Sequence, residues 1–421
     1  MRRAFLIVTL SLATINASAQ WDIQDSGTKA SLRGIHSLGK GIAWASGTDG
    51  TVLRTEDGGY LWQRCTTPPG AEKLDFRGIQ AFDANTAIVM SSGTGDLSRI
   101  YKTTDGCQTW KLVYANPDAE GFFDSIAGSL SPDRRFASTM IAGDPVSGGF
   151  TLFYLRIPML SSDTPQLIPF PEDNCDDPQQ MRQLPMPSSD CMAKLITITD
   201  SSLHSKDQTP SKPSDIPAQY KSPVPRTGEA LFAASNSSLA FDPRVRFAPN
   251  IAFVTGGPKG ARFLHYRGWP CRGMGCVYWR VADVPLAASE SSGAFSLATT
   301  GTKYWKGVIV GGNYQKPDEA KGTGAYTQDE GKSWQPSETP PHGYRSAVAY
   351  NATTKTWITV GPNGTDISTD DGRNWHALKP GPNDAPDADQ NWNALSLPFV
   401  VGPHGRIGVL RPDALKPAAT H

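Results

Sequence analysis

The chain has 421 residues, a formal net charge of zero and a sequence pI near 7.0. It therefore has neither the basic surplus typical of nucleic-acid-binding proteins nor an acidic tail. Glycine and proline are plentiful, while charged residues make up 19%; this composition favours many short strands joined by turns, in a chain long enough for one large core or two domains.

The first residues have the features of an export signal. Arg2 and Arg3 precede an apolar run at residues 4–15 that is too short to span a bilayer, and Ala17 and Ala19 fit a small-x-small cleavage site. We predict a signal peptide at residues 1–19 and a mature chain in the periplasm or outside the cell. The two arginines also resemble part of a twin-arginine signal, but the short lead favours the general secretory route. No later segment is apolar and long enough for a membrane helix.

Seven phrases of small and apolar residues recur along the mature chain at about 45-residue spacing, the period of a four-stranded propeller blade. They are residues 32–35, 76–79, 123–126, 229–232, 293–296, 344–347 and 392–395. Each phrase is predicted to open the innermost strand of a blade. The repeat predicts an all-β fold, a seven-bladed β-propeller of four-stranded antiparallel blades spanning residues 20–412, with a C-terminal tail at 413–421.

A second repeat follows the pattern [Ser/Thr]-x-Asp-x-Gly-x-x-Trp at residues 55–62, 103–110, 327–334 and 368–375. The Asp can accept backbone N–H bonds in a tight turn, Gly in the fifth place suits a positive φ, and Trp returns apolar surface to the core. We predict that these residues are structural and not catalytic. They are Asp57, Trp62, Asp105, Trp110, Asp329, Trp334, Asp370 and Trp375.

Residues 158–226 interrupt the repeat with many prolines and polar residues. Only residues 194–199 alternate like a strand, and we interpret them as a displaced outer strand of blade 3. The rest lacks the apolar content of a second domain and is predicted to be an irregular insert.

The seventh blade lacks a fourth strand at the end of the chain. Residues 21–24, which precede the first blade, can supply that strand. We predict that the first strand of the chain closes the ring in this way and leaves no long unpaired edge.

Six cysteines in an exported chain favour disulfides. Cys271 and Cys276 could staple one hairpin, Cys175 and Cys191 could close the insert, and Cys65 and Cys107 remain as a long-range pair. Other pairings stay open, since six cysteines allow fifteen. A metal site is the alternative, but the histidines are scattered and no Cys-x-x-Cys occurs; we predict neither a metal nor a cofactor.

Loops that enter the inner strands surround one mouth of a propeller. The repeat places six polar residues there, namely Arg33, Arg77, Asp124, Glu229, Arg345 and Asn393, and Asp144, predicted on the loop after the second strand of blade 3, joins this group. Arginine forks bind carboxylates and carboxyls act as general acids or bases, so this rim could hold an acidic ligand. It could equally consist of ion pairs that join neighbouring blades.

The second repeat resembles the Asp box, or BNR repeat, of sialidases and related propellers, where it is a folding element on the face opposite the ligand site. Together with residues 123–124, 143–146, 228–235, 311–314 and 343–348, the chain resembles the sialidase-like propellers of the photosystem II stability/assembly factor family. The resemblance covers the mature chain except the insert. It implies a non-catalytic assembly factor that binds a membrane protein partly through arginines.

Two functional hypotheses follow. The first is an exported, non-enzymatic propeller, expected to be monomeric, that binds a protein, a polysaccharide or a small acidic ligand at the rim. The second is a glycoside hydrolase or sialidase-like enzyme using Asp124, Asp144 or Glu229 with Tyr344. Neither hypothesis involves nucleic acid or a transmembrane segment.

Overall fold

The structure, a computed structural model, describes residues 20–131, 133–159, 166–168, 196–197, 223–242, 250–271, 274–301 and 304–415. The predicted signal peptide, most of the insert, Cys175 and Cys191 lie outside the described residues, as does the end of the C-terminal tail. None of the helices in the described part of the chain is apolar and long enough to cross a membrane.

Seven antiparallel sheets in the described residues confirm the predicted seven-bladed propeller; each contains four consecutively paired strands, and the sheet of blade 3 has a fifth, short strand. The first strand of the chain, β1 (Trp21–Gln24), belongs to blade 7; blade 1 contains β2 (Leu32–Gly39), β3 (Ile42–Gly47), β4 (Val52–Thr55) and β5 (Gln63–Arg64), and blade 2 contains β6 (Phe76–Ala81), β7 (Ala87–Ser91), β8 (Arg99–Thr103) and β9 (Lys111–Ala115). Blade 3 contains β10 (Phe123–Leu130), β11 (Phe136–Val146), β12 (Gly149–Pro158), β13 (Gln166–Ile168) and the extra β14 (Ile196–Thr197), and blade 4 contains β15 (Leu239–Asp242), β16 (Asn250–Thr255), β17 (Ala261–Cys271) and β18 (Met274–Val284). Blade 5 contains β19 (Ser292–Thr299), β20 (Gly307–Asn313), β21 (Gly324–Thr327) and β22 (Gln335–Pro336); blade 6 contains β23 (Ala347–Asn351), β24 (Thr356–Gly361), β25 (Gly364–Ser368) and β26 (His376–Leu378); and blade 7 contains β27 (Ala394–Ser396), β28 (Phe399–Val401) and β29 (Ile407–Leu410). The described residues also include two short 3-10 helices, Gly95–Leu97 and Asn236–Ser238.

The ring closes as predicted, because β1 pairs with β29 in antiparallel register from Trp21↔Leu410 to Gln24↔Ile407. Trp21 is buried against Trp392, with ring centroids 5.9 Å apart, and its indole N–H donates to Thr365 Oγ1 at 3.1 Å. Consecutive inner strands contact one another around the ring, and β27 returns to β2. The closing strand therefore leaves blade 7 with a full set of four strands.

The hydrophobic core lies between neighbouring blades. Trp44 of blade 1 shares one cluster with Phe76 and Val89 of blade 2. Phe150 of blade 3 meets Phe253 of blade 4 edge-on, with ring centroids 5.3 Å apart. Each sheet buries apolar side chains against its neighbours, which explains why a single blade could not stand alone.

The four repeated turns have the same hydrogen bonds. In blade 1, the Thr55 hydroxyl donates to Asp57 Oδ1 at 2.8 Å and accepts from the Gly59 N–H at 3.0 Å, while Leu61 N–H donates to Asp57. The corresponding bonds recur in blades 2, 5 and 6. These bonds lower the pKa of the Asp57 carboxyl, and all four tryptophans are buried. The turns thus hold the third and fourth strands together.

The expected Gly in the fifth place of the turn is wrong for the second copy. That place holds Cys107, with φ 63°, and Gly106 stands before it. The other three copies have Gly there, each also with a positive φ. Cys107 forms a disulfide with Cys65, which follows β5, so the predicted long-range pair is present. This bond joins blade 1 to blade 2.

Blade 4 departs from the prediction at its start. Residues 229–232 were expected to open the inner strand, but β15 begins later, at Leu239, after the 3-10 helix. Ala230 instead makes an isolated bridge to Gly256, the residue that follows the second strand. Similarly, Asp144 was placed on the loop after the second strand of blade 3, yet it lies within β11, where the register shifts.

Blades 3 and 4 also differ from the others at their outer edges. Ile196–Thr197 pairs with β12, which confirms the predicted displaced strand at these two residues, and β13 pairs further along the same strand. In blade 4, β17 and β18 form the long hairpin that contains Cys271 and Cys276. The disulfide proposed between those two cysteines stays a prediction.

Candidate functional site

We call the end of the propeller at which the inner strands begin the mouth. Because neighbouring strands of a blade are antiparallel, second strands end and third strands begin at this same end. The repeated turns, which follow third strands, lie at the opposite end. All seven predicted rim residues lie at the mouth, namely Arg33, Arg77, Asp124, Asp144, Glu229, Arg345 and Asn393.

Arg33 and Arg77 are the second residues of β2 and β6, and they face one carboxylate, that of Asp75. Arg77 Nε donates to Asp75 Oδ2 at 2.8 Å, and Arg77 Nη1 donates to the Ala233 carbonyl at 3.2 Å. Arg33 Nε is 3.9 Å from Asp75 Oδ1 and has no hydrogen-bond partner. The Arg33 side chain is 32% exposed. Partial burial and the nearby Arg77 charge lower the pKa of Arg33, against the attraction of Asp75.

The buried Asp124 and the half-buried Asp144 form a carboxyl pair next to these arginines. The N–H groups of Asp144 and Ala233 lie close to the Asp124 carboxyl and favour its ionised form. The Asp144 N–H donates to the Phe122 carbonyl at 3.2 Å, and the Oδ2 atom of Asp124 has no hydrogen-bond partner. Asp144 Oδ1 accepts from Leu231 N–H at 3.0 Å. Burial, followed by the repulsion of Asp144, raises the pKa of Asp124, while burial raises the pKa of Asp144 to about 6. The pair therefore retains protons more readily than exposed carboxylates do, and it joins blade 3 to the segment before β15.

Glu229 is held by an arginine that the sequence analysis did not identify. Arg262, the second residue of β17, donates from Nε to Glu229 Oε1 at 2.7 Å and from Nη2 to Oε2. Thr255 donates to the same carboxylate, as does the backbone N–H of Arg226. Both side chains are more than nine-tenths buried. Both carboxylate oxygens of Glu229 thus accept hydrogen bonds from nearby residues of the protein.

Arg345 is engaged in the same way by a carboxylate of the third strand. Its Nε donates to Asp366 Oδ2 at 2.8 Å, and Nη2 contacts the same atom. Nη1 donates to Asn363 Oδ1 at 2.5 Å and to the Tyr344 carbonyl at 2.8 Å. Arg345 is fully buried. All three guanidinium nitrogens of Arg345 thus have partners within the protein, and none is accessible to a ligand.

His342 extends this network toward solvent. Its Nδ1 lies 2.7 Å from Asp366 Oδ1, and Nε2 lies 3.1 Å from the Asn363 carbonyl oxygen. The hydrogen bond to Asp366 raises the pKa of His342, although burial and Arg345 oppose it. Burial opposes ionisation of Asp366 in turn, but the contacts with His342 and Arg345 lower the pKa of its carboxyl.

The other two predicted residues have structural contacts. Asn393 Nδ2 donates to the Leu32 carbonyl at 2.7 Å and so joins blade 7 to blade 1. Tyr344 is buried, and burial raises the pKa of its phenol far above the usual value. A phenol in that state stays protonated at neutral pH.

Several residues at the mouth were missed from sequence. Asp75 directly precedes a predicted inner strand, so its position could have been inferred. Arg262 and Asp366 lie on third strands, which carry no repeated polar phrase, and only the fold brings them to Glu229 and Arg345. The aromatic residues Phe232 and Tyr314 occur in stretches used for the family resemblance, but nothing in their spacing indicates that they meet.

No protein-family model matches the chain, and no curated protein matches it. Among solved structures, the chain is similar to one described as YCF48 bound to D1 peptide, at 13% sequence identity. The match covers 94% of this chain and 97% of that chain, with a TM-score of 0.53. A second similar structure is YCF48 from Cyanidioschyzon merolae, at 15% identity over 94% of this chain and 100% of that chain, with a TM-score of 0.50. At these identities the similarity shows a common propeller fold.

Proposed function

We propose that the protein is an exported, non-catalytic β-propeller that binds a protein partner at its mouth through Arg33 and Arg77, in the manner of an assembly factor. One observation carries the proposal: Arg33 is a partly exposed guanidinium whose nearest carboxylate contact is 3.9 Å. Arg345 and Arg262 are buried and fully occupied. A guanidinium with free donors is suited to bind a carboxylate of a partner.

The similar solved structures support a binding role. One of them is described as bound to a peptide, so a propeller of this architecture can take a peptide ligand. Transfer of that property to this chain is part of the proposal, because the fold alone is compatible with many functions.

Export is the second part of the proposal. It is supported by the apolar run that follows Arg2 and Arg3. It is also supported by the disulfide between Cys65 and Cys107, since such bonds persist in oxidising compartments. Cell fractionation with an antibody against the protein tests it, and recovery in the cytoplasm with the first residues intact would count against export.

The binding proposal is tested by affinity capture from cell-envelope extracts of the source organism, followed by binding measurements with the captured partner. Arg33→Ala and Arg77→Ala should weaken binding about tenfold or more. Arg134→Ala is the matched control, because Arg134 is exposed, pairs with Asp83 and follows an inner strand at the opposite end. Equal binding by all three variants and the wild type would refute the site.

The alternative is a glycoside hydrolase that uses the carboxyl pair. It draws on the raised pKa values of Asp124 and Asp144, since a carboxyl that retains its proton near neutral pH can act as a general acid. Against it, Glu229 is bound to Arg262 and Asp124 is buried. A screen on chromogenic glycosides decides between the binding protein and the glycoside hydrolase. Turnover that Asp144→Asn abolishes would favour the enzyme.

A further inference from the structure

Four aromatic side chains form a cluster at the mouth. Phe232 stacks on Phe295, with ring centroids 4.1 Å apart and an interplanar angle of 16°. Tyr344 meets Phe295 edge-on at 4.8 Å, and Tyr314 meets both phenylalanines edge-on at 6.4 Å and 6.2 Å. These are the geometries in which aromatic rings attract one another. The cluster is therefore a rigid surface.

The cluster is buried on one side and exposed on the other. Phe295 and Tyr344 are buried, Phe232 is half-buried, and Tyr314 is 47% exposed. Tyr314 directly follows β20, the second strand of blade 5, so it lies at the mouth and not on a turn of the opposite end. An exposed ring that is fixed by neighbouring rings offers a flat apolar face at little entropic cost.

The aromatic cluster adjoins the arginines. Arg77 Nη1 donates to the carbonyl of Ala233, the residue next to Phe232. The Tyr344 hydroxyl lies near enough to the Arg33 guanidinium and to Tyr314 for the charges of these groups to influence one another. The mouth thus presents two adjacent surfaces, a cationic one formed by Arg33 and Arg77 and an aromatic one formed by Phe232 and Tyr314.

We infer that the mouth recognises a peptide segment in which a carboxylate stands next to an aromatic residue. The carboxylate pairs with the Arg33 guanidinium, which is partly exposed and 3.9 Å from its nearest carboxylate contact, and the aromatic ring packs against Tyr314 and Phe232. This inference rests on the proposed function and specifies the chemistry of the partner. The carboxylate could belong to an Asp or Glu side chain or to the C-terminus of the partner, since all present the same two oxygens to a guanidinium.

The test is selection of a random peptide library, displayed with free C-termini, on the immobilised mature protein. The selected peptides should carry an aromatic residue adjacent to Asp, Glu or the terminal carboxylate. The best peptide is then synthesised with a free and an amidated C-terminus, and with Ala in place of its acidic or aromatic residue. Loss of binding on amidation identifies the terminal carboxylate, whereas loss only on Asp→Ala or Glu→Ala identifies the side chain.

Protein variants locate the site. Tyr314→Ala should raise the Kd of the selected peptide about three- to tenfold, and Tyr314→Phe should leave it unchanged. Arg33→Ala should raise it about tenfold or more. Tyr60→Ala is the control, because Tyr60 is 91% exposed but lies in a repeated turn at the opposite end.

The outcomes separate the inference from the proposed function. Binding that depends on Arg33 and Arg77 but ignores Tyr314→Ala and Phe232→Leu would overturn the aromatic part and leave the arginine site standing. Binding that ignores the arginine variants as well would overturn both. Selection of no peptide, or of peptides without the acidic and aromatic pair, would overturn the inference while affinity capture with the arginine variants still tests the proposed function.

Discussion

Blades 1 and 2 contain the same repeated turns as blades 5 and 6, but the two regions differ at the mouth. In blade 6, Arg345 is fully buried and its guanidinium is bound by Asp366, Asn363 and the Tyr344 carbonyl. In blade 1, Arg33 is partly exposed and shares Asp75 with Arg77. Both arginines occupy the same phrase of the repeat. A repeat therefore fixes where an arginine lies, while the residue opposite it decides whether it is free.

The two regions differ at their outer ends as well. Cys65, which follows β5, bonds covalently to Cys107 in the turn of blade 2. The corresponding residue after β22 is Ser337, and its hydroxyl donates to the carbonyl of Gly372 in the turn of blade 6 at 2.6 Å. One junction is thus closed by a disulfide and the other by a hydrogen bond.

The largest effect is expected for the buried ion pair of blade 6. Asp366→Ala should lower the free energy of unfolding by about 3–5 kcal/mol, because it leaves Arg345 charged and buried. Asp75→Ala, at the partly exposed ion pair with Arg77, should cost about 1 kcal/mol or less. Urea denaturation of both variants measures the difference.

A double variant checks the cause. Arg345→Met with Asp366→Leu removes both charges and should be more stable than Asp366→Ala alone. Equal stability of the Asp75→Ala and Asp366→Ala variants would mean that the two arginines are held alike, contrary to the comparison.

The next largest effect is expected for the disulfide. Cys65→Ser opens a loop with a sequence separation of 42 residues and should cost about 2–4 kcal/mol. Ser337→Ala at the other junction should cost about 1 kcal/mol, the contribution of one hydrogen bond. Chemical denaturation with and without reductant measures both, and reductant should destabilise the wild type more than Cys65→Ser.

Cys107 adds a sharper comparison, since its φ of 63° lies in a region that favours glycine. In the Cys65→Ser background, Cys107→Gly should be more stable than Cys107→Ser by about 1 kcal/mol. A more stable serine variant would show that the turn adopts another conformation once the disulfide is absent.

A smaller effect is expected from two histidines, whose contributions to stability should depend on pH in opposite directions in the two regions. Burial lowers the pKa of His36 in blade 1 to about 4, so its contribution to stability is lost as the pH falls from the unfolded value toward 4. The hydrogen bond to Asp366 raises the pKa of His342 in blade 6. The contribution of His342 to stability is complete at pH values below its pKa in the unfolded chain, and it is lost as the pH rises through its pKa in the folded protein.

Unfolding free energies of His36→Gln and His342→Gln, measured from about pH 5 to about pH 8, test these signs. The cost of His36→Gln should be smaller at the acidic end, and the cost of His342→Gln should be smaller at the basic end. Parallel pH profiles for the two variants would contradict the assignment, and NMR titration of the two imidazoles provides an independent measurement.

The smallest effect on stability is expected for Arg33 itself. Arg33→Ala should change the free energy of unfolding by about 0.5 kcal/mol or less, because the side chain has no short ion pair to lose. Thermal and urea denaturation measure this. A cost of several kcal/mol would show that Arg33 is structural, and it would remove the contrast with Arg345.

The sequence by itself determined the ring. The repeated openings, the turns with their Asp and Trp residues and the missing last strand were sufficient to predict seven blades and the closure by residues 21–24, because these features act through local hydrogen bonds and a fixed period. The errors in the fold were local. The start of blade 4 and the position of Asp144 depend on contacts with neighbouring segments, whereas Cys107 in the fifth place of the second turn is visible in the sequence itself.

Only the tertiary structure decided which residues of the rim are available. Asp366 and Arg262 lie on third strands, 21 residues beyond Arg345 and 33 beyond Glu229, and no local pattern links the partners. The same holds for the aromatic cluster, which combines Phe232, Phe295, Tyr314 and Tyr344 from three blades. Burial and pairing depend on what the fold places opposite a side chain, and that information is distributed over distant parts of the chain.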